Sequence, residues 1–288
     1  MQSGGGMSEP RLIEPRLILG LSEIAPDHDA LICDIWGVVH NGQAPFPEAV
    51  QALRRFRRDQ GKVVLLSNAP RMPDAVEEQF RRIGVATNFY DAIVTSGAAT
   101  REDLIRRGPL SLYYIGTDWD LTLLAGLSVT RTSIADADLA VCIGLRDDLT
   151  ETPDDYAGIL AEMRARNLLM LCANPDLKVY RGKQLCWCAG ALAKAYEAIG
   201  GKVAYYGKPY PAIYQAALKA AGEPKNPLAI GDALVTDLKG AQDAGIEALF
   251  IADGLHGEEI EPYTARHLGE MFAAHHVGAK ASMRALKW

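Results

Sequence analysis

Short apolar runs alternate along the chain with longer stretches of helical periodicity. This alternation is typical of a parallel sheet covered by helices. The run Ala30–Asp34 is apolar up to its last residue, as expected of a strand that is buried on both faces. Pro47 opens the helix that follows, and this helix is predicted to run to about Gln60, just before Gly61.

The same pattern predicts the elements in the rest of the chain. Further strands are predicted at residues 63–66, 92–95, 112–115, 139–143, 168–172, 203–206, 228–230 and 248–251. Helices are predicted at about residues 73–84, 119–124, 153–166, 189–199, 211–221 and 235–244, and a loop at residues 174–182. Because the pattern restarts near Gly97, we expect an α/β fold in which a Rossmann-like parallel-sheet core, residues 1–99 and 203–288, carries an inserted α/β cap domain of residues 100–202.

Composition and charge limit the classes of partner. The formal net charge is −6, and the basic residues are scattered except for a cluster that fits the solvated face of a helix: Arg54, Arg55, Arg57 and Arg58. We therefore expect no nucleic-acid partner. No apolar run approaches the ~20 residues that cross a bilayer, and the opening residues lack the pattern of a secretory signal. Residues 1–10, with their Ser-Gly-Gly-Gly stretch, are expected to form a flexible tail without chemistry.

The five cysteines are odd in number and irregularly spaced. Cys186-Trp-Cys188 is neither a CxxC redox motif nor half of a zinc site, because no second pair follows at ligand spacing. We expect buried thiols, and hence a protein of the reducing cytoplasm.

Groups suited to phosphate chemistry follow four of the predicted strands. Asp34 ends its strand, and Gly37 permits a tight turn that leaves the carboxylate exposed, although a helix cap or a turn alone would also explain this pattern. Three later strands end in Ser67-Asn68, in Gly207-Lys208-Pro209 and in Gly231-Asp232, with Asp237 five residues further on. Ligands bind at the carboxyl ends of parallel strands. Two acids there can hold Mg²⁺, while a lysine and a hydroxyl orient a phosphate.

This order of elements resembles the four motifs of the haloacid dehalogenase superfamily. Asp34 matches the first motif, Ser67 the second, Lys208 the third, and Asp232 with Asp237 the fourth. The resemblance spans roughly residues 28–255, and the insert resembles that of class IIA, which includes nitrophenyl, pyridoxal and nucleotide phosphatases with a large α/β cap. The segments that resemble this class are Ser67-Asn68, Asn174-Pro175-Asp176, Gly190-Ala191-Leu192, Gly207-Lys208-Pro209 and Gly231-Asp232.

The resemblance implies a role for each acid in the site. Asp34 would attack phosphorus and form an aspartyl-phosphate. Mg²⁺ would be held by Asp34, the backbone carbonyl of Trp36 and Asp232. Asp237 would position Lys208 or a water molecule on the metal.

Phosphate and substrate contacts are implied for a second group of residues. Phosphoryl oxygens would be held by Ser67, Lys208 and the N–H groups of Asn68 and Ala69. Asn174 and Asp176, on the cap loop nearest the core, are candidates for substrate contact; the alternative is an Asx turn around Pro175.

The sequence departs from the phosphatase pattern at Trp36. Phosphatases of the superfamily carry at this position a second Asp that protonates the leaving oxygen and later activates water, and losing such a group costs ~10²–10⁴ in rate. Dehalogenases of the superfamily also carry an aromatic residue here but need no metal, whereas relatives that cleave carbon–phosphorus bonds lack the Asp and keep Mg²⁺. His40 and Asn41 are candidate substitute donors, the alternative being a hydrogen-bonded role for His40.

Three functions are therefore open from the sequence. The first is a Mg²⁺-dependent phosphatase with an altered acid step, acting on a small phosphorylated metabolite such as a sugar phosphate, a nucleotide or pyridoxal phosphate. The second is a protein that binds a phosphorylated ligand with little or no turnover, and the third is dehalogenase-like or other C–X hydrolysis. The resemblance to class IIA also implies a homodimer formed through the cap.

Overall fold

The structure is a computed structural model that describes residues 13–181, 184–257 and 259–288. The predicted tail and the last residue of the predicted loop, Gly182, lie outside the described residues. The strands are β1 (Arg16–Leu17), β2 (Ala30–Asp34), β3 (Lys62–Ser67), β4 (Ala92–Thr95), β5 (Leu110–Ile115), β6 (Val129–Arg131), β7 (Leu139–Cys142), β8 (Leu169–Cys172), β9 (Lys178–Arg181), β10 (Gln184–Trp187), β11 (Lys202–Tyr205), β12 (Pro227–Gly231), β13 (Glu247–Ile251) and β14 (Ala281–Met283). The α-helices are α1 (Pro47–Asp59), α2 (Pro73–Arg82), α3 (Ser96–Arg107), α4 (Ala157–Ala165), α5 (Ala189–Ala198), α6 (Pro211–Ala220), α7 (Lys239–Asp243) and α8 (Ala265–Ala274).

The larger sheet has seven parallel strands in the order β1-β14-β13-β12-β2-β3-β4. Side chains of β2 alternate between its two faces, so that Leu31 belongs to the same buried cluster as Phe56 of α1, and Ile32 to the same cluster as Tyr214 of α6. Helices cover both faces, which explains the continuous apolar character of β2 and confirms the predicted α/β fold with a central parallel sheet.

The smaller sheet has five parallel strands in the order β11-β8-β7-β5-β6. Strands β9 and β10 form a separate antiparallel hairpin, in which Lys178 pairs with Trp187. The chain enters this region at Ser96 and leaves it at Tyr206. The Ser96 hydroxyl lies within hydrogen-bond distance of the backbone carbonyls of Ala173 and Tyr206, so the two crossings run side by side.

Two parts of the sequence prediction are corrected here. Residues 203–205, which the sequence analysis assigns to the core, form most of β11 and pair with β8 in the smaller sheet. The sequence does not predict this pairing, because a short apolar strand does not encode which sheet it joins. The predicted loop at residues 174–182 contains β9, whose polar residues conceal a hairpin strand.

Helix α3 begins where the sequence pattern places a restart. Thr95 caps this helix by accepting a hydrogen bond from the Ala98 N–H. Gly97 lies in its first turn, and a Cβ there would lie 2.4 Å from the backbone nitrogen of Arg71. Gly97 therefore permits a close approach between the helix and the loop after β3.

The described part of the chain contains no helix that is long and apolar enough to cross a membrane. All five cysteines are buried, as predicted. Burial raises the pKa of the Cys33, Cys172 and Cys188 thiols well above the ordinary value, so these sulfurs stay protonated and inert.

Candidate active site

Four of the predicted site residues meet at the carboxyl edge of the larger sheet. Asp34 ends β2, Ser67 ends β3 and Asp232 directly follows β12, and these strands are neighbours in the order β12-β2-β3. Lys208 arrives from the smaller sheet, three residues after the end of β11. All four side chains are buried, and their meeting follows from parallel neighbours ending at one edge.

The ammonium group of Lys208 joins two carboxylates. Its Nζ lies 2.5 Å from Asp34 Oδ1 and 2.7 Å from Asp237 Oδ1, and the lysine side chain is only 4% exposed. Burial acts to lower the pKa of Lys208, but the charges of Asp237 and Asp34 raise it well above the ordinary value, so the side chain is a cation. Burial raises the pKa of Asp34 to about 7, against the opposing effect of the Lys208 charge.

Asp232 is packed against two glycines. A Cβ at Gly37, whose φ is +84°, would lie 2.0 Å from Asp232 Oδ2, and a Cβ at Gly254 would lie 2.2 Å from the same oxygen. The Leu255 N–H donates a hydrogen bond of 2.7 Å to this oxygen. Burial, followed by the charges of Asp34 and Asp237, raises the pKa of Asp232 well above its ordinary value. Gly37 thus makes room for Asp232 as well as for the turn.

The carboxylate cluster fits a divalent cation. One carboxylate oxygen from each of Asp34, Asp232 and Asp237 lies within 4.8 Å of the others. Lys208 supplies one positive charge against these three buried carboxylates, which leaves an excess of negative charge. Carboxylate oxygens are the donors that Mg²⁺ prefers. Asp237 already accepts from Lys208 and from the Ala233 N–H, so its contacts suit the predicted positioning role.

Asn68 holds the backbone from which Lys208 projects. Its Oδ1 accepts from the Lys208 N–H at 2.6 Å, and its Nδ2 donates to the Lys208 carbonyl at 3.1 Å. In the same loop the Ala69 N–H donates to Ser67 Oγ at 3.1 Å. The side-chain clamp on Lys208 is a contact of Asn68 that the sequence does not predict, because the two residues are 140 positions apart.

Asn174 and Asp176 both line the cleft next to the carboxylate cluster. They also form the Asx turn around Pro175 that the sequence offers as the alternative to substrate contact. The Asp176 N–H donates to Asn174 Oδ1 at 3.1 Å, across Pro175, as in an Asx turn. Asp176 Oδ1 accepts from Asn68 Nδ2 at 2.8 Å, and burial raises the pKa of Asp176. The turn therefore connects the loop before β9 to the loop after β3, which contains Asn68.

Trp36 contacts the hairpin β9–β10 from the position where a second Asp is expected. Its indole Nε1 donates to the backbone carbonyl of Tyr180 at 2.6 Å. The ring also meets the edge of His40, with ring centroids 5.1 Å apart. An indole N–H is a hydrogen-bond donor only, so Trp36 offers no carboxylate for proton transfer.

The two candidate substitute donors both serve the loop that contains them. His40 is 1% exposed, and its Nδ1 accepts from the Gly42 N–H at 2.9 Å. Burial lowers the pKa of His40 to about 4. Asn41 Oδ1 accepts from the N–H groups of Gln43 and Ala44. These contacts favour the hydrogen-bonded role over proton donation.

A cleft of about 970 Å³ extends from the carboxylate cluster to the smaller sheet and the hairpin. Arg71 of the core and Asp120 of the cap both line it and form an ion pair with an N–O distance of 2.6 Å. Sequence reasoning missed this pair and the hairpin wall formed by Lys178, Tyr180 and Trp187. Arg71 follows Ser67-Asn68 in the same loop, but its partner is 49 residues away.

Comparison with known proteins identifies similar chains. Residues 31–129 match the family described as haloacid dehalogenase-like hydrolase, and residues 205–278 match a HAD-hydrolase-like family. A solved hydrolase of the haloacid dehalogenase-like family from Brucella suis 1330 is 40% identical, with a TM-score of 0.83 over 94% of this chain and 100% of that one.

Phosphatases are also among the similar proteins. D-glycerol 3-phosphate phosphatase of Mycobacterium tuberculosis is 29% identical over 82% of this chain, and the match spans 66% of that longer protein. A solved glycerol phosphate phosphatase from the same organism, in complex with magnesium, is 27% identical, with a TM-score of 0.63 over 84% of this chain and 74% of that one.

Proposed function

Because the chain belongs to the haloacid dehalogenase-like hydrolase family, we propose that it is a Mg²⁺-dependent phosphatase acting on a small phosphorylated metabolite. The observation that carries this proposal is the buried cluster in which Asp34 contacts Lys208 at 2.5 Å while oxygens of Asp34, Asp232 and Asp237 lie within 4.8 Å of one another. A nucleophile, a cation for the phosphate and a set of metal-ligand oxygens are thereby placed together.

In the first half-reaction an oxygen of Asp34 attacks phosphorus, and the bond between phosphorus and the leaving oxygen breaks. Lys208 holds a phosphoryl oxygen, and Ser67 with the N–H groups of Asn68 and Ala69 holds the others. When held by Asp34, Asp232 and the backbone carbonyl of Trp36, Mg²⁺ offsets the repulsion between the Asp34 carboxylate and the phosphoryl oxygens. Asp237 keeps Lys208 in place through the 2.7 Å contact.

In the second half-reaction water attacks phosphorus, the bond to Asp34 breaks, and inorganic phosphate leaves. Both steps move a proton: the leaving oxygen gains one and the attacking water loses one. The side chain of Trp36 exchanges neither, and its N–H is engaged by Tyr180. The function supported best is therefore hydrolysis of phosphates whose leaving oxygen is stable without a proton, with slow hydrolysis of the aspartyl-phosphate by water.

A panel of phosphorylated metabolites, together with p-nitrophenyl and acetyl phosphate, tests this proposal in the presence of Mg²⁺ and of EDTA. We expect Mg²⁺-dependent release of phosphate that Asp34→Asn abolishes. Glu259→Gln, at an exposed acid outside the cluster, serves as the control and should keep full activity. Phosphate release by Asp34→Asn at the wild-type rate would contradict the proposed nucleophile.

Trp36 favours one second candidate, a protein that binds a phosphorylated ligand with little turnover. In that case no phosphoenzyme forms from p-nitrophenyl phosphate with Mg²⁺ present, although phosphate analogues still bind and raise the melting temperature. Acid-quenched trapping of a labelled phosphoenzyme separates the two functions.

The proposal extends to the surroundings of the enzyme. A cytoplasmic location is supported by the burial of all five cysteines, which behave as small apolar residues and suit a reducing compartment. A homodimer formed through the cap rests on the resemblance to class IIA alone, and light scattering on the purified protein tests it.

A further inference from the structure

The hydrogen bond from Trp36 to Tyr180 crosses between parts of the chain that are distant in sequence. Trp36 follows β2 in the catalytic loop of the core, whereas Tyr180 lies in β9, 144 residues later. The bond is 2.6 Å long and partly buried. It therefore joins the loop that carries Asp34 directly to the hairpin β9–β10.

The ring of Trp36 fits into a space that Gly42 and His40 form next to it. A Cβ at Gly42, whose φ is +84°, would lie 2.4 Å from the indole ring. His40 contacts the ring edge-on and is itself held by an edge contact with Phe80 of α2. The local sequence thus leaves room for a large flat ring at this position and supports it from two sides.

The hairpin that receives this bond belongs to neither of the two larger sheets. Its strands β9 and β10 pair with each other, and Lys178 lies over the Trp187 ring, with 4.0 Å from Nζ to the ring centroid. A two-stranded hairpin by itself is marginally stable in water. Contacts from outside the hairpin therefore have a large effect on how firmly it stays in place.

We propose that Trp36 is a positioning residue that fixes the hairpin β9–β10 over the active site and so sets the wall against which the leaving group lies. Lys178, Tyr180 and Trp187 of this hairpin line the cleft, and so does Trp36, whose indole N–H binds the Tyr180 carbonyl. The consequence for substrate selection rests on the proposed phosphatase function. The consequence for the hairpin itself does not.

Hydrogen exchange tests the positioning directly in the full chain. Trp36→Phe keeps a ring in this space and removes the N–H, and Trp288→Phe, at a tryptophan that packs under Arg55 away from the cleft, is the matched control. We expect the amides of β9 and β10 to exchange about threefold to tenfold faster in Trp36→Phe, the range that the loss of one hydrogen bond corresponds to. Unchanged exchange in the hairpin would overturn the proposal.

The indole N–H provides a second measurement that needs no folded variant at Trp36. In protein labelled with ¹⁵N-tryptophan, the Trp36 indole proton should exchange with water more slowly than the Trp187 indole proton. The chain has four tryptophans, so the Trp119, Trp187 and Trp288 signals are assigned by Phe substitution and the fourth belongs to Trp36. A Trp36 proton that exchanges as fast as a solvent-exposed indole would also overturn the proposal.

Kinetics separate positioning from general damage to the site. In Trp36→Phe we expect the KM for p-nitrophenyl phosphate to rise about threefold or more, a clearly larger factor than the fall in kcat or the rise in the inhibition constant of inorganic phosphate, which needs only the core. If KM, kcat and the inhibition constant of inorganic phosphate all worsened by the same factor, Trp36 would act on the phosphate site itself, against the proposal. If the wild type lacks turnover, the proposed function fails. The exchange measurements by themselves then decide whether Trp36 positions the hairpin.

Discussion

Replacing Lys208 with methionine removes the only cation that contacts Asp34 and Asp237 within the described residues. The lysine side chain is 4% exposed, and the two carboxylates are 8% and 7% exposed, so solvent screens the pairs little. Breaking one partner out of a buried ion pair costs ~3–5 kcal/mol because the remaining charge is left unpaired. We expect Lys208→Met to lower the free energy of unfolding by about this amount at pH 8 without metal.

The pH dependence of this loss follows from the pKa of Asp34. Its folded-state value of about 7 is raised above the ordinary value, so the folded protein binds more protons than the unfolded chain, and stability falls as pH rises toward 7. Without Lys208 the pKa of Asp34 rises further, because the opposing charge is gone, and the fall continues above pH 7. A difference of one bound proton over two pH units changes the free energy of unfolding by about 2.7 kcal/mol. The loss caused by Lys208→Met should therefore be smaller at pH 6 than at pH 8, by up to roughly that amount.

Urea unfolding in EDTA, followed by circular dichroism at pH 6 and pH 8, measures both effects. Lys219→Met, at an exposed position of α6, is the control and should stay within ~0.5 kcal/mol of the wild type. The reasoning is refuted if Lys208→Met lies within ~1 kcal/mol of the wild type at pH 8, or if its loss is larger at pH 6 than at pH 8.

Three further predictions concern the metal, the leaving group and His40. Asp232→Asn should abolish the rise in melting temperature that Mg²⁺ causes in the wild type, and an unchanged rise would argue against Asp232 as a ligand. The wild type should hydrolyse p-nitrophenyl phosphate far faster than alkyl phosphates, and Trp36→Asp should gain at least ~10-fold on the alkyl substrates, a small part of what a general acid supplies; equal rates on both classes in the wild type would contradict this. Since the pKa of His40 is lowered to about 4, the unfolded chain binds its proton first and stability falls as pH drops from about 6.5 toward 4. His40→Asn should flatten that fall in unfolding experiments, and an unaltered slope would count against it.

The sequence predicts the catalytic edge well because its signals are local. Asp34, Ser67 and Asp232 each stand at or just after the end of an apolar run, and the parallel strands of one sheet end at the same edge. The resemblance to a known superfamily then adds the proposed roles, which the geometry fits.

Contacts between distant segments are what the sequence could not supply. The hydrogen bonds between Asn68 and the Lys208 backbone join residues 140 positions apart. The pairing of β11 with β8 likewise depends on how the strands meet in the fold, which a short apolar run does not encode. Trp36 illustrates the same limit. The sequence shows that a carboxylate is absent, but only the fold shows that the indole binds the Tyr180 carbonyl.

The crossings at Ser96 and Tyr206 lie side by side, so the intervening segment leaves the core and returns to it at one place. Since its two attachment points touch, the connection to the core places little constraint on the length of chain that lies between them. A different module grafted at these points would leave β4 and the Lys208 backbone where they are. A change in this segment would therefore alter the walls of the cleft without rebuilding the edge that carries Asp34, Ser67 and Asp232.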